Sequence, residues 1–185
     1  RAPPLPPPAS APAAAPAPPP PPRVEKVRQE RLRKFLETEI AEGLVDVLET
    51  PEGTTVRLRA RGMFPAGSAV VLPRYQPVID RVARALEDEP GQVLVVGYTD
   101  STPIRTVRFP SNWHLSGARA ETVRERLARA LSDPGRVTAE GRGEMDPIAS
   151  NADAEGRELN RRTEIVLRRA GQVRTAAAPD PRRAP

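Results

Sequence analysis

The chain has 185 residues, no cysteine, a single histidine and a formal net charge of +5. Without cysteine there is no disulfide and no thiolate zinc site, and one histidine leaves carboxylates as the remaining metal donors. No apolar run reaches the about 18 residues of a membrane-spanning helix, and three Phe, two Tyr and one Trp make no stacking platform for single-stranded nucleic acid.

The excess positive charge is local. Residues 161–185 carry seven arginines against Glu164 and Asp180, so a solvated basic tail is expected rather than a nucleic-acid site. The sequence starts at Arg1 rather than Met and shows no signal peptide, and is read as a fragment.

Residues 1–22 are Pro/Ala-rich and hold half of the 24 prolines. With no apolar set to bury, they cannot offset their ordering entropy and are expected to form a disordered linker. In polyproline II form it would reach on the order of 70 Å. A helix is predicted over 23–42, with Val24, Val27, Leu32, Phe35, Leu36 and Ile40 as its apolar stripe and Gly43 as its stop. Two strands over 44–50 and 54–60 follow, turned by Pro51-Glu52-Gly53. Helix and hairpin together form a lead-in over 23–62.

A Gly-containing loop at 62–68 precedes a helix expected to run to Asp88, with Tyr75, Val78, Ile79, Val82 and Leu86 inward and Pro90-Gly91 as its end. The run Val93-Leu94-Val95-Val96 reads as a buried strand that stops at Gly97 and presents Tyr98-Thr99-Asp100 at its C-terminal end. After a long loop a helix is predicted to open near Ser116, as N-cap, with Ala120, Val123, Leu127 and Leu131 on one face. A turn at Asp133-Pro134-Gly135, a strand over 136–141, a short helix over 155–161 and a final strand over 163–168 complete the pattern. Residues 63–170 would be the main domain, and 171–185 a disordered basic tail. This order predicts an α/β fold: a two-layer sandwich with a βαβαβ core, a mixed sheet and helices packed on one face.

Arg119 falls in the first turn of the predicted helix, where a cation meets the positive end of the helix dipole. Asp100 is the candidate partner. Two readings stay open on the residues alone: a plain ion pair, or a clamp whose carboxylate holds a ligand ammonium and whose guanidinium holds its carboxylate. His114 lies near Ser111, Ser116 and Asp100, but no nucleophile elbow precedes either serine. There is no phosphate-cradling loop or dinucleotide fingerprint. No catalysis, cofactor or metal is expected.

Gly97-Tyr98-Thr99-Asp100, Asn112-x-x-Leu115-Ser116-x-x-Arg119-Ala120, Gly141-x-Gly143, Pro147, Asn151 and Gly156-Arg157-x-x-Asn160-Arg161-Arg162 occur in that order over residues 63–169. The set resembles the OmpA-like peptidoglycan-binding domain. The resemblance implies that Asp100 and Arg119 hold the diaminopimelate of a peptidoglycan stem peptide, with Thr99, Asn112, Leu115, Phe64, Ser68 and Arg162 as further contacts. The extended loop from Thr102 to the Phe109-Pro110-Ser111-Asn112-Trp113 stretch is similar to that of TssL-type subunits of type VI secretion and, second, of MotB flagellar stator proteins. Trp113 is expected to anchor this loop on the core. The resemblance further implies a periplasmic domain of an inner-membrane protein, whose membrane helix lies outside this sequence, tethering a secretion complex to the wall. Its partners would be peptidoglycan and other subunits of that complex, with a homodimer left open. The alternatives are a scaffold that contacts subunits without binding the wall, and a stator domain.

Overall fold

The computed structural model describes residues 22–59 and 63–168. The expected linker, apart from Pro22, and the expected basic tail lie outside the described residues, as do Ala60 and Gly62. The elements are α1 (Pro22–Phe35), α2 (Glu37–Ala41), β1 (Val45–Thr50), β2 (Gly53–Arg59), α3 (Gln76–Glu87), β3 (Val93–Gly97), α4 (Asn112–Ala130), β4 (Val137–Gly141), α5 (Ala154–Asn160) and β5 (Arg162–Arg168). Five strands form one mixed sheet in the order β1-β2-β5-β3-β4; β3 and β4 are parallel and the other pairs antiparallel.

Alternation along the strands separates the two faces of the sheet. Val45, Val47, Val56, Leu58, Val93, Val95, Val137, Ile165 and Leu167 share one core with Val78, Ile79, Val82 and Leu86 of α3 and Ala120, Val123 and Leu127 of α4. Burying each large aliphatic side chain contributes about 1.5–3 kcal/mol, so this layer dominates the stability of the fold. The opposite face carries a smaller cluster of Leu94, Val96, Tyr98 and Val166. Beside it lies a lattice of ion pairs in which Glu164 accepts from both Arg57 and Arg162.

The N-terminal helix differs from its predicted form. It breaks at Leu36 into α1 and α2. Leu32 and Leu36 are buried and Ile40 is partly buried, but Val24, Val27 and Phe35 are 45%, 49% and 39% exposed. Glu25 and Arg28 take inward positions instead. Arg28 Nε donates to Glu89 Oε2 at 3.2 Å, Arg31 Nη1 to Glu89 Oε1 at 2.9 Å, and Thr54 Oγ1 to Glu25 Oε2 at 3.3 Å. Pairing to the segment after α3 sets the rotation of α1, which a count of apolar residues does not reveal.

The start of α4 also differs. The helix begins at Asn112 with an extended Ser111 as N-cap, and Ser116 lies inside it. Ser116 Oγ donates to Trp113 O at 3.0 Å and accepts from Gly143 N at 2.9 Å, so its hydroxyl fastens the helix to the loop after β4. Arg119 is therefore seven residues past the helix start, beyond the reach of the N-terminal dipole. Trp113 is 40% exposed on the helix surface rather than anchored in the core.

Two glycines let α4 sit directly on the strand ends. A Cβ on Gly97 would lie 2.2 Å from Ser116 O, and one on Gly141 would lie 2.4 Å from Gly117 N. This close approach brings the residues of the first helical turns beside the end of β3.

Candidate functional site

The backbone beyond β3 is pinned on both sides. Tyr98 N donates to Arg162 O at 2.9 Å and Thr99 N to Gly143 O at 2.7 Å. Asp100 is thereby delivered, 7% exposed, to a pocket of about 440 Å³. The loop after β2 contributes Phe64, Ala66 and Gly67 to its wall, the loop after β3 contributes Thr99, Asp100, Thr102, Pro103 and Ile104, α4 contributes Asn112, Leu115 and Arg119, and α5 with the residue after it contributes Glu158 and Arg161.

The two charged residues singled out from the sequence do not pair with each other. Asp100 Oδ1 accepts from Thr102 N at 2.7 Å, and Oδ2 accepts from Arg161 Nη1. Arg161 also holds Glu158. Arg119 is 7% exposed; its Nε donates to Ser68 O at 2.8 Å, its Nη2 to Pro65 O at 3.4 Å, and its guanidinium lies 4.9 Å from the centre of the Phe64 ring. Among the described residues no carboxylate lies within the 4.0 Å ion-pair distance of Arg119. The plain Asp100–Arg119 ion pair is thus not formed, and Arg119 is a buried cation whose charge has no direct counterion.

The electrostatics match this arrangement. Burial pushes the Arg119 pKa down to about 10; the positive charge of Arg161 adds to that and the negative charge of Asp100 opposes it. For Asp100, burial alone would raise the pKa. The Thr102 backbone N–H, the Arg161 guanidinium and the Thr102 side chain outweigh it and hold the carboxyl below its ordinary value. Both groups are charged at neutral pH. Thr99 also lines the pocket, while its Oγ1 is buried beneath the wall without a hydrogen-bond partner among the described residues.

Thr99, Asp100, Asn112, Leu115, Phe64 and Arg119 are therefore brought together. Asn112 Nδ2 donates to Thr102 O at 3.0 Å and to Glu144 Oε2 at 2.9 Å, so this residue also shapes the loop over the pocket. Ser68 contributes its carbonyl to Arg119, while its hydroxyl accepts from Val70 N at 3.1 Å. Arg162, expected among the contacts, is not one of the residues lining the pocket. It opens β5 on the face away from the main core, with Nε donating to Glu164 Oε1 at 2.8 Å and its guanidinium 3.6 Å from the centre of the Tyr98 ring. Its neighbour Arg161 takes the place at the site. Strand alternation was the available signal: a strand opening at residue 162 puts Arg162 on the face of Glu164 and frees Arg161.

A larger groove of about 720 Å³ lies on the far side of Arg161 between β1, β2 and α5. Its arginines are already matched, Arg59 to Asp46 and both Arg57 and Arg162 to Glu164, so among the described residues it presents no unpaired buried cation like Arg119. Ser111 Oγ and His114 Nδ1 are 2.8 Å apart and exposed. The Asp100 carboxylate is committed to Thr102 and Arg161 and does not complete a Ser-His-Asp relay with Ser111 and His114. Among the described residues no group of three or more His, Asp or Glu side chains is placed to hold a metal ion.

The model of the OmpA family matches residues 63–161. The chain belongs to the OmpA family. It is 45% identical to the structure of the cell wall anchor of the T6SS from Pseudomonas aeruginosa, with a TM-score of 0.70 over 76% of this chain and 99% of that one. It is 31% identical to motility protein B of Bacillus subtilis over 82% of this chain and 59% of that protein. It is also 36% identical to the peptidoglycan-binding protein ArfA of Mycobacterium tuberculosis over 56% of this chain and 31% of that one. The chain spans about three fifths of the length of the first curated relatives it matches, between 59% and 61%. The pocket is built wholly from residues 64–161, inside the family match.

Proposed function

We propose that this domain is a non-catalytic clamp for peptidoglycan that grips the zwitterionic end of a diaminopimelate side chain in the stem peptide. The observation that carries the reading is Arg119: a buried guanidinium without a carboxylate partner among the described residues, in one pocket with a separate, ionised Asp100. A ligand bearing an ammonium and a carboxylate on one carbon completes both. Its carboxylate takes the free edge of Arg119, and its ammonium takes the remaining lone pairs of Asp100. Phe64, Leu115 and Ile104 supply the apolar wall for the methylene chain.

The wall-anchor structure at 45% identity, against 31% for motility protein B, favours service in a secretion complex over a flagellar stator. On this reading the domain sits in the periplasm and ties the complex to the wall, with peptidoglycan and the other subunits as its partners. In a pull-down with isolated sacculi the protein should sediment with the wall and release no soluble fragments. Protein that stays in the supernatant at low and moderate salt would instead fit a scaffold that contacts subunits alone.

The pH dependence has a definite sign. Asp100 is held below the ordinary carboxylate value, so its charge is present above that range and is lost as the pH falls through the folded pKa. Arg119 keeps its charge until the pH approaches about 10. Sacculus binding should therefore be flat from about pH 5 to 8 and weaken only as the pH falls below the ordinary carboxylate range or approaches about 10. A midpoint inside that window would contradict the assignment of these two groups.

A further inference from the structure

We propose that Arg161 is a positioning residue that keeps the two arms of the clamp apart: by holding Asp100 against the α5 wall, it stops Asp100 and Arg119 from closing on each other before a ligand arrives. This rests on the clamp reading above and assigns a role to a residue outside the expected contacts.

Opposite charges in one small, partly buried pocket attract strongly, and arginine and carboxylate readily form a two-bonded pair. That pair is missing here, and its absence needs a cause. The structure supplies one on each wall. Arg119 is tied to Ser68 O and Pro65 O and packed on Phe64. Asp100 is tied to Thr102 N and to Arg161. Of these restraints on Asp100 and Arg119, Arg161 is the one that satisfies Asp100 with charge of the same kind that Arg119 would offer.

Arg161 is in turn fixed from behind. Its second Nη holds Glu158 on α5. The chain leading to it is laced by Asn160, whose Oδ1 accepts from Ile148 N at 2.8 Å and Ala149 N at 3.0 Å and whose Nδ2 donates to Asn151 Oδ1 at 2.9 Å. Asn151 Oδ1 also accepts from Ser101 N at 3.2 Å, next to Asp100 itself. The backbone that carries Arg161 and the backbone that carries Asp100 are thus one hydrogen-bonded unit. Arg119 rises from α4, whose Asn112 also donates to Asp100 O at 3.4 Å. The Arg119 guanidinium, however, is tied to the 65–68 loop on the other wall, and the gap between the walls is the pocket. Such preorganisation leaves each arm charged and turned to the ligand, where a self-closed pair would have to be broken first.

The test uses the whole chain with Arg161→Ala and Arg161→Lys. In ligand-free crystals of Arg161→Ala, the Asp100 carboxylate is expected to swing onto Arg119, within hydrogen-bond distance. Affinity for a soluble diaminopimelate-containing muropeptide should fall about tenfold, while Arg161→Lys, whose ammonium can still hold Oδ2, recovers most of it. If Arg161→Ala does not fold, Arg161→Gln reports the same geometry. Asp100 remaining on Thr102 with Arg119 still apart overturns the proposal. So does muropeptide binding by a folded alanine variant that equals or exceeds wild type, which would make Arg161 a competitor for Asp100. If the wild-type protein binds no muropeptide, the clamp reading fails by itself, and the Asp100–Arg119 distance in the ligand-free variant still decides the role of Arg161.

Discussion

Asp100→Asn and Arg119→Met should each weaken sacculus binding by roughly one to two orders of magnitude while the protein stays folded. One hydrogen bond to a charged group is worth about 1.5–3 kcal/mol net, and each variant removes one charged arm. Asn at position 100 keeps an oxygen for the Thr102 N–H, which Asp100 accepts at 2.7 Å, so the loop beyond β3 should hold its shape. Met at position 119 keeps a long apolar stem against Phe64 and removes the charge. The stability of that variant is the telling measurement. A guanidinium that is 7% exposed with its pKa pushed down by burial to about 10 is a net electrostatic cost to the unliganded fold. Two bonds to backbone carbonyls only partly offset that cost. The melting temperature of Arg119→Met should therefore hold or rise as binding is lost. Were Arg119 a structural residue, the opposite pattern would emerge: a lower melting temperature, with binding retained by the folded fraction.

This expectation has a different cause from the one the sequence suggests. Read from the sequence, Arg119 conflicts with a helix dipole because the helix is expected to open at Ser116. In the structure α4 opens at Asn112, and the unfavourable contribution is desolvation beside Arg161. The error comes from Ser116, whose hydroxyl suits an N-cap equally well in isolation. It is spent on Gly143 instead, a contact between residues 27 positions apart that no local pattern records.

The same division runs through the rest of the molecule. Strands β3 and β5, helix α3 and the chain order of the elements follow from hydrophobic period and turn residues, which are local properties. The insertion of β5 between β2 and β3 is a pairing choice between distant segments and has no local signature. Nor does the rotation of α1, where Glu25 and Arg28 are buried and Val24 and Val27 exposed because Thr54 lies across from Glu25 and Glu89 across from Arg28. At the site, Asp100, Arg119 and the residues flanking them were readable because each sits at a strand end or on a helix face. Arg161 and Arg162 are separated only by carrying the strand alternation back from Glu164 to Arg162. One step of register turns one into the pocket and the other onto Tyr98.

Gly97→Ala should be a strongly damaging single-methyl change, lowering stability by about 1–3 kcal/mol or more and taking binding with it. The added Cβ would stand 2.2 Å from Ser116 O and 2.9 Å from its carbonyl carbon. Those are backbone atoms of a long helix, so no side-chain rotation relieves the clash. Relief requires α4 to move off the end of β3. That motion pulls on Ser116 Oγ, which anchors Gly143 N, and through Gly143 O on Thr99 N at 2.7 Å. It also carries Asn112, Leu115 and Arg119 away from the wall that holds Asp100. Stability and affinity should therefore fall together, unlike in Arg119→Met, where they separate. Comparison of melting temperature and sacculus binding in the two variants checks this. A Gly97→Ala protein that melts and binds like wild type would mean that α4 is not seated on β3 through this glycine.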